Sequence, residues 1–93
     1  MTSERIMTLH PEGKQGVNIE REKYEMMRRA IIGALQASQP QTFSGLEKAV
    51  SAQLEGNFDG SISWYFTTVK LDLEARQVVE RVPGTRSQQI RLA

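Results

Sequence analysis

Cysteine is missing from all 93 residues, so the chain holds no disulfide framework, no thiolate zinc site and no thiol nucleophile. Histidine occurs once, as His10. Without a second imidazole at ligand spacing a metal would have to rest on carboxylates, and neither metal nor cofactor is expected. His10 also falls in a stretch broken by Pro11, Gly13 and Gly16, where nothing would orient its ring for a Ser-His-Asp arrangement. The close carboxylate pairs, Asp72 with Glu74 and Glu20 with Glu22, stand two apart on helical stretches, point in different directions and read as solvated charge. The sequence therefore predicts a protein that is not an enzyme. It also lacks an apolar run of bilayer-spanning length and a charged-then-apolar leader with a small-residue cleavage site. A cytoplasmic chain of bacterial type, without membrane contact, is the expectation.

What is present suits one domain with a single modest core: 39% hydrophobic and 25% charged residues, as in ordinary globular proteins. The net charge of +1 says less than its distribution. Residues 1–19 balance, residues 20–60 set five basic side chains against six acidic ones, and residues 76–93 carry Arg76, Arg81, Arg86 and Arg91 against Glu80 alone, a net +3. A basic C-terminal stretch is the weak electrostatic footprint of a nucleic-acid binder.

Residues 1–19 show no sustained period and read as an N-terminal arm with a short strand near Gly16–Ile19. The PEGKQG segment at 11–16 is not a phosphate loop, because the glycine five positions ahead of Gly-Lys and the following Ser or Thr are both missing. From Glu20 the spacing turns helical: Tyr24, Met27, Ile31 and Leu35 recur at threes and fours, widened by Met26, Ala30 and Ala34, until Pro40. Thr42 and Phe43 suit a very short strand. SGLE at 44–47 predicts a capping box, with Ser44 capping the Glu47 amide ahead of Leu46, Val50 and Leu54. After the turn-rich EGNFDG, a third helix starts near Ser61 or Ser63 on the stripe Ile62, Phe66, Val69 and Leu73 and runs to Ala75. Residues 78–82 and 88–92 then alternate as two strands around Pro83-Gly84.

That order over residues 20–92 resembles a winged-helix domain, the helix-turn-helix variant with a β-hairpin wing. The expected fold class is accordingly α+β: an arm over 1–19, then a three-helix winged helix-turn-helix domain over 20–93 ending in a two-stranded wing. The run KLDLEARQVVERVPG at 70–84 is similar to one in a family of small uncharacterised bacterial proteins. That family combines an LDLEARG-IERV-like run with a PEGK or PGK segment, matched here by PEGKQG. It implies no activity. Gln77 stands where glycine is expected in that run, so the helix exit lacks the residue best suited to a left-handed conformation.

The winged-helix resemblance implies double-stranded DNA as the partner and transcriptional regulation as the role. The third helix would enter the major groove through Ser63, Thr67 and Lys70, and the amides at the start of the second helix, with Thr42 and Ser44, would meet phosphate. Arg86 in the hairpin turn, with Arg81 and Arg91 on the flanking strands, would neutralise further phosphates. Few such contacts bind weakly, so a homodimer formed through the first helix or the arm would help. The plainer reading of these arginines is that they keep an exposed strand edge from pairing. The third helix also carries no arginine or asparagine, which make the commonest bidentate base contacts. A protein–protein interaction module without DNA binding is therefore the alternative. There Trp64, displaced by roughly 200° from the core stripe, would be the partner contact, unless it packs against the arm or Phe58.

Overall fold

The chain, described over residues 4–93 by a computed structural model, begins with an antiparallel pair, β1 (Arg5–Met7) and β2 (Asn18–Glu20), in which Ile6 lies opposite Ile19. The strand expected near residues 16–19 is β2; its partner β1 carries no alternation long enough to read. Gly16 sits where the two strands approach, and a Cβ there would collide with the carbonyl oxygen of Thr8. Val17 then donates its amide to the Thr8 hydroxyl at 2.9 Å, and Thr8 donates its own to the Val17 carbonyl at 2.8 Å. Ile19 is buried in the core, so this pair packs on the body of the protein.

The ladder runs directly into α1 (Arg21–Ala37). Glu20, its N-cap, makes no side-chain cap, and the Arg21 amide instead bonds the Glu4 carbonyl at 2.9 Å. An N–H that a helix start leaves orphaned is thus satisfied by the neighbouring strand. Tyr24, Met27, Ala30, Ile31 and Leu35 are buried and Met26 and Ala34 pack at the margin, as the spacing predicts.

Strand β3 (Gln41–Thr42) precedes α2 (Phe43–Leu54), followed by α3 (Ile62–Ala75), β4 (Val79–Arg81) and β5 (Gln89–Leu92). The capping box expected at Ser44 does not form. Thr42 is the N-cap and accepts from the Gly45 amide at 3.0 Å. The cause is the sheet: Thr42 is paired with Gln89 and the Phe43 amide bonds the Gln88 carbonyl at 3.0 Å. Thr42 is therefore the last extended residue and the helix starts at Phe43. Ser44 falls inside the first turn, while Glu47 accepts a hydrogen bond from the Ser63 hydroxyl at 3.0 Å.

The two strands expected at the C-terminus are joined by the very short one expected at Thr42 and Phe43, which forms one residue earlier as β3. The order of this sheet is β3-β5-β4, all antiparallel, with β5 in the middle. Val82-Pro83-Gly84-Thr85 turns with Gly84 at φ 78°, a conformation a type II turn requires and glycine adopts without strain. The Thr85 hydroxyl donates to the carbonyls of Val82 (3.2 Å) and Ser87 (2.8 Å). Leu46, Val50 and Leu54 of α2 and Phe66, Val69 and Leu73 of α3 meet the α1 stripe, and Val79 and Ile90 cover the open side. Phe43 and Phe66 contact edge to face at 5.1 Å.

Over the described residues the fold is thus α+β, three helices with two small antiparallel sheets. Among the described residues no helix is long and apolar enough to cross a membrane.

Candidate functional site

Helix α3 decides what the molecule can present. Ser61 caps it, accepting from the Trp64 amide at 3.2 Å. Phe66, Val69 and Leu73 face the core, which leaves Ser63, Trp64 and Thr67 exposed on the other side. Further along that side the 8–17 loop lies over Thr68 and Leu71, which line a small cavity with Leu9 and Val17. The exposed part of α3 is therefore its first half.

Lys70 is not there. It was expected on a solvent-facing side, but it is 2% exposed. Its ammonium donates to Gln88 Oε1 at 2.7 Å and Glu74 Oε1 at 3.3 Å, and lies 5.4 Å from the centre of the Phe43 ring. Burial lowers its pKa, and the Glu74 carboxylate opposes that shift. Position 70 is four beyond Phe66 and next to Val69, on the buried stripe, and its charge is tolerated because it is paired.

Asp72 and Glu74 also depart from the expectation of solvated charge. Asp72 is 0% exposed. It accepts from the Leu9 amide at 2.8 Å, from the Tyr24 hydroxyl, and from Arg76 Nε at 2.9 Å. One carboxylate thereby ties the N-terminal segment, α1 and α3 together. Burial first, and the hydrogen bond to Asp72 second, push the Tyr24 pKa up to about 12. The hydrogen bond to Asp72 raises that of Arg76 against the effect of its burial. Sequence reading missed this node; the i,i+4 spacing of Asp72 and Arg76 was the one available signal. Glu74 is held by Lys70 and by Arg81 Nε at 3.1 Å.

The hairpin arginines divide. Arg81 is partnered by Glu74, and Arg91 by Glu80 at 2.6 Å. Both remain partly exposed. Arg86 is exposed in the turn and makes no ion pair among the described residues. Thr42 and Ser44 are exposed at the start of α2, with Thr42 occupied as the cap. Lys70 is thus withdrawn from the set expected to meet DNA, and of the hairpin arginines Arg81 and Arg91 are already engaged by carboxylates.

Aromatic rings occupy the exposed end of α3 instead. Trp64 is 47% exposed and meets Tyr65 edge to face at 4.9 Å. The Phe58 contact conceivable for Trp64 is made by Tyr65, also edge to face, at 5.1 Å. Lys23 Nζ lies 5.3 Å from the Tyr65 ring centre. Beside Phe58 opens a cleft of about 220 Å³ between the start of α1 and the α2–α3 loop.

His10 Nδ1 accepts from the Glu12 amide at 3.1 Å, a local turn contact. No group of three or more histidine or acidic side chains is placed to hold a metal ion among the described residues. No curated protein and no solved structure matches the chain. Residues 5–90 match DUF6958, a family of unknown function, and the chain belongs to it.

Proposed function

We propose that the chain is a winged-helix type of module whose third helix docks a protein partner. The observation that carries this reading is the surface of α3: its one cation, Lys70, is internal, while Trp64 is 47% exposed on its accessible half. Exposed tryptophans dominate binding energy at protein interfaces, since they bury a large rigid area at small entropic cost. A phosphate-binding helix needs accessible cations; α3 presents none, and on the hairpin beside it Arg86 stands with Arg81 and Arg91, which are already paired with carboxylates.

The test is selection of random peptides displayed against the full-length chain, followed by affinity measurement with Trp64→Ala. Binders should emerge, and the substitution should weaken them at least about tenfold, the size of a modest interface anchor. Binders indifferent to Trp64→Ala would remove the reading. Because Trp64 is already half exposed, its loss leaves the core intact and the folded variant serves as a fair comparison.

Double-stranded DNA is the second reading, favoured by the exposure of Arg86 at the hairpin tip with Thr42 and Ser44 exposed at the start of α2. Random-sequence duplex titrated at low salt separates the two. DNA binding predicts a saturable signal that falls by roughly 0.9 log unit per log unit of salt for each phosphate engaged and that Arg86→Ala weakens.

A further inference from the structure

Resting on the partner reading above, we propose that the partner presents a basic segment, arginine in preference to lysine, and that its guanidinium enters the cleft beside Phe58. Phe58, which lines the cleft, is linked to Trp64 through a single ring. Tyr65 touches Trp64 on one side and Phe58 on the other, at 4.9 and 5.1 Å, and Phe58 and Met26 supply the cleft's apolar wall.

Its remaining charge favours a cation. Glu20, Glu22 and Asp59 line it against Lys23 alone, a net of −2. Among the described residues none of the three carboxylates is ion-paired, in contrast to Glu74, Glu80 and Asp72. Lys23 is itself drawn over the Tyr65 ring. The start of α1 contributes roughly half a positive charge from its dipole, which reduces the excess but does not reverse it.

A volume of about 220 Å³ takes one long side chain rather than a drug-sized ligand, for which roughly 300 Å³ is the lower bound. A planar guanidinium stacks on an aromatic face and forks onto carboxylates, which a compact ammonium does not. An apolar anchor against Trp64 beside an arginine at Phe58 is thus the complementary pattern.

The experiment uses the displayed random-peptide library on the full chain, read by sequencing and by the quenching of Trp64 fluorescence. Selected peptides should be enriched at least threefold in arginine relative to the input library. The charge-neutral variant Glu20→Gln/Glu22→Gln/Asp59→Asn should bind them about tenfold more weakly, as expected for several exposed charge pairs together. Circular dichroism confirms that this variant is folded. Binders that depend on Trp64 but show no arginine enrichment, or that ignore the neutral variant, overturn the basic-segment inference and leave the partner reading standing. Binders indifferent to both sets of substitutions overturn the two together.

Discussion

Replacing Gln77 by glycine should stabilise this protein, although it removes a side chain and adds no contact. Gln77 has φ 63°, in the left-handed region, where an L-residue pays roughly 1–2 kcal/mol. The geometry is that of a Schellman exit. Arg76 is the C-cap, the Gln77 amide bonds the Glu74 carbonyl at 3.0 Å, and the Val78 amide bonds the Leu73 carbonyl at 2.9 Å. Val78 packs on the cluster that holds Leu73, as the motif favours. None of these bonds uses the exposed Gln77 side chain. Glycine would relieve the backbone strain, while its freer unfolded chain returns roughly 0.5–1 kcal/mol. The net gain is about 0.5–1 kcal/mol, or about 2–8 °C in Tm at this chain length. Differential scanning calorimetry and urea melts of Gln77→Gly, Gln77→Val and the parent check it. Gln77→Val should fall below the parent, since β-branching is least tolerated at positive φ. If glycine melts at or below the parent and valine is neutral, the helix exit is not held left-handed and the reasoning fails.

Other perturbations act on the buried polar groups and the arm. Asp72→Ala would orphan the Leu9 amide, the Tyr24 hydroxyl and Arg76 and should cost about 3–5 kcal/mol by urea unfolding, with Asp72→Asn milder. Tyr24 favours its neutral form in the fold, its pKa raised from 10 to about 12. Its contribution is therefore complete below pH 10 and lost as pH climbs towards 12, about 2–3 kcal/mol in all. Urea unfolding at pH 9 and pH 11.5 should show about 2 kcal/mol of that loss in the parent and none of it in Tyr24→Phe. Gly16→Ala should destabilise by about 1–3 kcal/mol through the clash with the Thr8 carbonyl, and amide exchange at Thr8 and Val17 should accelerate before that of α2.

The hydrophobic periods of α1 and α3 were legible because apolar side chains recur at the helical repeat regardless of what they meet. Lys70 and Asp72 were not, although both lie on or beside the buried stripe of α3. Residue type argued for the surface, and burial was made tolerable by partners that spacing cannot reveal: Gln88 is 18 residues away, Tyr24 48 and Leu9 63. Ser44 failed for a related reason. Its capping box was locally sound, but pairing of β3 with β5, some forty-seven residues along from Thr42 to Gln89, fixed the last extended residue two positions earlier. For the candidate surface, the displacement of Trp64 from the core stripe was visible in the sequence. The cleft beside Phe58 was not, since it joins the start of α1 to a loop that composition marks only as a turn.

The Asp72 carboxylate couples motions that the secondary structure alone would leave independent. If the strand pair before α1 frays, Leu9 strips a donor from a buried anion; if α3 shifts, the same anion loses Arg76. Neither excursion is a cheap local fluctuation. The amino-terminal strands and the third helix should therefore open as one foldon, with a shared opening free energy, and a partner gripping α3 would stiffen a segment it never touches.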